Sequence, residues 1–224
     1  VDVREMWDAE YRSGRYAGDG PVPMVRRAIA TLSERGLSGA RGVYLGCGNG
    51  RNYVPLREAG LALDGVDVSP VAIAALLARA PRLREGASLT CGDLMGLEPD
   101  SPYAYVVAIQ SLMHGTLAEA ARRFAKVDSL LAPGGLLFLR INTAASEVTR
   151  AHEALEETPL GGRTVRYLGG ERDGLVIHFF TEAEIRSLLP GYSRVGPTTT
   201  HVVPRTPPEA GQWTQLEAVL QKPA

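Results

Sequence analysis

The sequence predicts an α/β fold: a doubly wound, mostly parallel sheet with helices on both faces. Three observations predict it. Short apolar runs alternate with helical patterns from about Gly42 to Asn142, the arrangement in which crossover helices join parallel strands. The first run enters a turn with three glycines in five positions, Gly46-Cys47-Gly48-Asn49-Gly50. A strand turning sharply into a helix needs glycine for positive φ and close backbone approach. Asp67 closes the second run, 21 positions after Gly46, where an acid in such a fold meets a ribose hydroxyl pair.

Residues Val1 to Val22 hold Trp7, Tyr11 and Tyr16 among polar and glycine positions. Helical character around Arg4 to Tyr11 is broken by Gly18-Asp19-Gly20-Pro21. Val25, Ile29 and Leu32 recur at helical spacing from Pro23 to Arg35, and Gly36 stops that helix. A strand over Gly42 to Leu45 precedes a helix from Arg51 to Ala59, and Leu61 to Val68 is the second strand. Ser69 as N-cap and Pro70 at the first position open the next helix, to Ala80. Ser88 to Cys91 is a third strand. Tyr103 to Ile109, almost wholly apolar, is a fourth buried on both faces. A helix over Leu117 to Leu131 ends at Pro133-Gly134-Gly135, and Leu136 to Ile141 is the fifth strand. Thr143 to Gly174 is polar, with glycine pairs at Gly161-Gly162 and Gly169-Gly170, and reads as an inserted helix and a hairpin, with His152 on the helix. Thr181 and Glu184 form a capping box for a short helix to Leu189. Last strands follow near Tyr192 to Val195 and Trp213 to Leu220, with His201 in a threonine-rich surface loop between them.

The 224 residues suit one domain, residues 1–224, with 1–22 as a lid and 143–180 as a substrate-side insertion. Hydrophobic residues make up 45 %, charged residues 22 %, and the net charge is −1. That balance disfavours nucleic acid, whose binders carry a basic excess. No apolar run approaches a membrane span, and no leader is visible. Cys47 and Cys91 stand apart, as packing residues of a reduced protein and without a zinc signature. The expectation is a cytoplasmic protein, monomer or homodimer, taking a small molecule and no metal.

Taken by themselves, Asp67 is a ribose ligand or a helix cap, and Asp93, in Cys91-Gly92-Asp93-Leu94, an adenine ligand or a turn residue. Val43 to Asn52, Leu63 to Pro70, Cys91 to Leu94 and Leu131 to Gly135 resemble, in order and spacing, the successive motifs of class I S-adenosylmethionine-dependent methyltransferases. Gly50-Arg51-Asn52 and Phe179-Phe180-Thr181 are similar to the tellurite/thiopurine-type small-molecule branch. The resemblance implies a Rossmann-like seven-stranded sheet with an antiparallel last strand, and S-adenosylmethionine as cofactor. It places the methionine part against Gly46, Cys47, Gly48, Asn49, Gly50 and Asn52. The ribose falls to Asp67 and Val68, the adenine to Asp93 and Leu94, and the cofactor amino group to the Gln110 carbonyl. Tyr44 departs from the pattern, which often has an acid there.

In-line attack on a sulfonium methyl asks mainly for a held and aligned nucleophile. His114, in the segment after the fourth strand, is the candidate base, its alternative being a packed residue at a helix start. Met113, Asn142, Tyr11 and Tyr16 are candidate substrate contacts, with Trp7 a further lid aromatic. Arg140 is a candidate for steering an anion or a surface ion pair, and His178 faces pocket or solvent. The run Leu175 to Ile177 with Phe179 and Phe180 reads as core before pocket wall.

Ile109-Gln110-Ser111-Leu112 lacks the proline-rich pattern of base and amide methylation. The reading is therefore methyl transfer to an oxygen, nitrogen or sulfur of a small molecule. Its alternatives are a non-methylating reaction on the same cofactor, a nicotinamide-dependent dehydrogenase, or a cofactor-sensing module.

Overall fold

The computed structural model describes residues 2–14, 16, 18–84, 88–205 and 210–224. Five parallel strands form the centre: β1 (Gly42–Leu45), β2 (Leu63–Asp67), β3 (Leu89–Cys91), β4 (Tyr103–Ile109) and β5 (Leu131–Asn142). Three shorter strands, β6 (His152–Glu157), β7 (Arg163–Tyr167) and β8 (Val176–Phe179), make a separate antiparallel sheet. The chain returns through β9 (Ser193–Arg194), β10 (Thr199–Pro204) and β11 (Gln212–Gln221). The main sheet runs β3-β2-β1-β4-β5-β11-β10, with β9 also on β11. Six of the seven expected strands lie along this path; the expected strand near Tyr192 to Val195 is β9, and β10 is the additional one. β11 pairs antiparallel with β5, as expected for the last strand.

Strand alternation decides the two cores. On β4, Val106 and Ala108 face one cluster with Phe124 and Val127, while Tyr105 and Val107 face another with Met24, Leu32 and Leu76. The first cluster takes its helical side from α5 (Leu117–Leu130) and α6 (Glu182–Leu188). The second takes it from α2 (Pro23–Glu34), α3 (Tyr53–Glu58) and α4 (Pro70–Arg79). Helices on both faces bury the sheet twice, which is why its strands read as continuous apolar runs. Caps set the helix starts: Ser69 accepts from Ala72 N–H at 3.0 Å, and Thr181 with Glu184 forms the expected capping box. Among the described residues, no helix is long and apolar enough to cross a membrane.

Three expectations are corrected. Residues 143–174 form no inserted α-helix: His152 begins β6, an exposed edge strand whose polar sequence shows no alternation. His201 lies on β10, not in a loop, with Nε2 3.0 Å from Glu217 Oε2. Cys91 is exposed, so only Cys47 packs in the interior. The first 22 residues contain α1 (Val3–Arg12), capped by Asp2, whose side chain accepts from Arg4 N–H at 2.9 Å.

Candidate active site

The carboxyl ends of β1, β2 and β4 open into a cavity of about 670 Å³, roofed by α1 and walled on one side by β8. Open α/β sheets bind ligands at this edge.

The glycine loop forms one wall. Gly46, Gly48 and Gly50 have φ of +75°, +55° and +88°. A Cβ on Gly46 would lie 2.9 Å from Ser111 Cβ, and one on Gly48 would lie 2.5 Å from the Tyr11 hydroxyl. The loop's N–H groups are mostly spent within the protein. Gly46 and Cys47 donate to Val66 O at 2.8 and 3.1 Å, Gly48 to Asp67 Oδ2 at 2.8 Å, and Gly50 to Cys47 O at 3.1 Å. The loop thus brings backbone close to a ligand without offering a row of free donors for phosphates.

Asp67 is buried, and its second oxygen accepts from Ser69 N–H at 2.9 Å. Burial pushes its pKa up, against the pull of these two backbone donors. Asp93 is exposed at the cavity rim and caps the next turn by accepting from Met95 N–H at 2.9 Å. Cap and cavity contact coexist there.

Gln110 follows β4 with φ +57°, in the left-handed region for a non-glycine residue. Its carbonyl oxygen lies 3.2 Å from His114 Nε2. A carbonyl only accepts, so Nε2 carries the proton and Nδ1 the lone pair. Nδ1 is buried without a protein partner. Burial, reinforced by Arg123, lowers the His114 pKa to about 4. The Arg123 guanidinium lines the cavity and donates to the His114 carbonyl.

Helix α1 closes the roof. Trp7 meets His114 edge-on, ring centroids 5.2 Å apart. Asp8 accepts from the Ser69 hydroxyl and from Val71 N–H at 3.4 Å, and Glu10 pairs with Arg172 at 3.1 Å. Burial, with Asp67 nearby, raises the Tyr11 pKa, keeping its hydroxyl protonated.

A model described as a methyltransferase domain matches residues 43–135. The chain is similar to that family over this stretch. No curated protein sequence matches it. Solved structures of the same fold include a 1,6-didemethyltoxoflavin N1-methyltransferase of Burkholderia thailandensis, with that compound and S-adenosylhomocysteine bound. Its TM-score is 0.69 at 20 % identity, over 99 % of this chain and 88 % of that one. The magnesium protoporphyrin IX methyltransferase of Synechocystis, with S-adenosylmethionine bound, gives 0.61 at 21 % identity over 96 % and 94 %. An S-adenosylmethionine-dependent methyltransferase of Clostridium acetobutylicum gives 0.64 at 14 % over 98 % and 97 %. At these identities the likeness is one of fold.

The cavity brings together Gly46, Cys47, Gly48, Asn49 and Asn52 with Asp67, Val68, Asp93, Leu94 and Gln110. Gly50 lies beneath the loop instead, where a Cβ would meet Val54 Cγ2 at 2.7 Å. Tyr11, Tyr16, Met113, His114 and Asn142 line the other part. Two candidates are not on the lining. Arg140 is buried, its guanidinium committed to Glu217 and Gln215, so no charge is left to steer an anion. His178 is fully buried between Thr164 Oγ1 at 2.8 Å and Glu184 Oε2 at 3.4 Å, where it holds β7 and β8 to α6.

Leu175 and Ile177 are both core and cavity wall. Tyr44 also lines the cavity. It is buried and hydrogen-bonded to Asn52, whose Oδ1 accepts from Val22 N–H at 3.0 Å, so this position braces the loop where an acid was expected. Sequence reasoning missed Trp213, Gln215, Arg123 and Arg172. The first two sit on the inner part of the last strand, where alternation could have marked them. The arginines had no local signal.

Proposed function

We propose that this chain is an S-adenosylmethionine-dependent methyltransferase acting on an oxygen, nitrogen or sulfur nucleophile of a small molecule. The observation that carries the reading is one cavity with two chemically different halves. Gly46, Gly48, Asp67 and Asp93 stand in one, and His114, Asn142 and Trp213 in the other.

The residues fit the cofactor. Gly46 and Gly48 leave room for close approach that a Cβ would fill. Each Asp67 oxygen accepts one backbone N–H and keeps a lone pair for a ribose hydroxyl. Asp93 and Leu94 would hold the adenine. When bound, S-adenosylmethionine supplies a methyl group already activated on a sulfonium sulfur. The protein's part is then to position the nucleophile and exclude water. His114 Nδ1 carries a lone pair that no protein group uses, and in this reading it falls to an N–H or O–H nucleophile. Held near pKa 4, it is neutral at physiological pH and takes the proton only as attack acidifies the nucleophile.

The size of the cavity supports a small acceptor, since sites of about 300–1,000 Å³ bury drug-sized ligands. The Burkholderia neighbour holds 1,6-didemethyltoxoflavin and S-adenosylhomocysteine, in keeping with this reading. A dinucleotide-dependent reaction is disfavoured because the loop's N–H groups are taken.

Calorimetric titration with S-adenosylmethionine and with NAD tests the reading. Binding of the sulfonium compound alone is expected, and binding of NAD alone would overturn it. Release of S-adenosylhomocysteine on turnover separates methyl transfer from a non-methylating rearrangement.

A further inference from the structure

Arg140, Glu217, Gln215 and Asn142 form one buried relay that ends at the cavity. Arg140 Nη1 donates to Glu217. Its Nε and Nη2 both donate to Gln215 Oε1, at 2.9 and 2.6 Å. An arginine has only donors to offer, so the Gln215 oxygen must face it and the Gln215 nitrogen must face away. That nitrogen donates to Asn142 Oδ1 at 2.9 Å. The Asn142 oxygen is thereby turned toward Gln215, and Nδ2 is the group left to donate to a ligand. The side-chain amides have one self-consistent orientation, and the charge on Arg140 dictates it.

His114 has the opposite polarity. Its Nδ1 is a buried lone pair without a protein partner, because Nε2–H is committed to the Gln110 carbonyl. Strand β8 keeps the two groups close. His178 N–H donates to Met113 O at 2.9 Å and Phe180 N–H to Asn142 O at 3.1 Å. The two segments therefore dock on the same edge of one strand, two residues apart, roughly 7 Å along it. Trp7 and Trp213 supply flat apolar walls beside them.

We propose that Asn142 Nδ2 and His114 Nδ1 select a planar methyl acceptor presenting a hydrogen-bond acceptor and a donor along one edge, as a cyclic lactam does. Arg140, Glu217 and Gln215 are positioning residues that set the polarity of that selection. The inference rests on the proposed function, because it assigns the half of the cavity that the cofactor leaves.

Two probes of one shape and opposite polarity test it. 2-Quinolone offers N–H beside C=O, and 2-aminoquinoline offers a ring nitrogen beside an amino group. Each is titrated into the protein saturated with S-adenosylhomocysteine, at alkaline pH where the amine is neutral. The wild-type protein should prefer the quinolone by about tenfold, the size of one net hydrogen bond. In Gln215→Glu, the new carboxylate still accepts from Arg140 but cannot donate to Asn142, whose amide must turn over and offer its oxygen. The preference should then shift toward the aminoquinoline, while S-adenosylhomocysteine affinity stays within about twofold. A merely structural role for Gln215 would weaken both probes alike.

Asn142→Leu is the second variant, should Gln215→Glu not fold, and it should narrow the preference for the quinolone, which then rests on His114 Nδ1 alone. Cofactor binding combined with equal binding of both probes by wild type, with no binding of either, or with an unchanged preference ratio in both variants overturns this inference alone. Failure of S-adenosylhomocysteine to bind overturns the proposed function, and the inference with it.

Discussion

Asp67 performs two tasks at the end of β2. Its oxygens tie Gly48 N–H on one side and Ser69 N–H on the other, so it joins the glycine loop to the start of α4. In the proposed function it also meets the ribose. Asp67→Ala should lower S-adenosylmethionine affinity by roughly 10- to 100-fold, one or two hydrogen bonds to a charged group. Calorimetry reading unchanged affinity would refute the ribose role. His114 gives a prediction about pH. Its folded pKa, about 4, lies below the value of about 6.5 for an unperturbed histidine. The unfolded chain therefore binds the extra proton first, and stability should rise with pH between about 4 and 6.5 and level off above. The pH profile of kcat/KM should likewise lack a limb near 6.5 from this residue, and a limb there that disappears in His114→Asn would contradict the lowered pKa. Asp67 and His114 were legible in the sequence because one ends a strand and the other closely follows one, where the fold brings ligands. Arg140 stood at such an end too, yet its partners Gln215 and Glu217 lie on β11, more than 70 positions away, and no local pattern announces a pairing across adjacent strands.

At the scale of elements, α1 is the least embedded part of the site. It buries only Met6 among its apolar side chains, and Asp8 and Glu10 dock it by polar contacts. Asp8 reaches the N-terminus of α4, and Glu10 pairs with Arg172 next to β8. Breaking a buried pair leaves one charge uncompensated, at a cost of about 3–5 kcal/mol where the structure cannot relax. With only Met6 buried among its apolar side chains, α1 is expected to open alone. Glu10→Gln should therefore raise amide hydrogen exchange in Val3–Arg12 while exchange in β1 and β4 stays slow. Uniformly faster exchange would mean that α1 is part of the cooperative core. The central strands were legible because burial on both faces leaves unbroken apolar runs. β6 and β10 were not, because edge strands exposed to water carry no period-two contrast, and β6 reads as a polar helix.

The three parts of the molecule meet at the cavity: the sheet edge with its glycine loop, the roof helix, and the small sheet through β8. A ligand filling it contacts all three, so binding free energy should appear as stability of the whole chain and not of one segment. For a ligand that binds only the folded state, saturation at about 100 times Kd contributes about 2.7 kcal/mol. In a chain of 224 residues, each kcal/mol moves Tm by about 2–4 °C, so S-adenosylhomocysteine should raise Tm by roughly 5–10 °C. NAD at the same concentration should leave it unchanged, because the loop has few free N–H groups for a pyrophosphate. The shift should persist in Gln215→Glu, whose change falls in the acceptor half, and shrink in Asp67→Ala. Scanning calorimetry of the three proteins therefore separates the halves of the cavity, and equal shifts in all three would contradict the division into a cofactor half and an acceptor half.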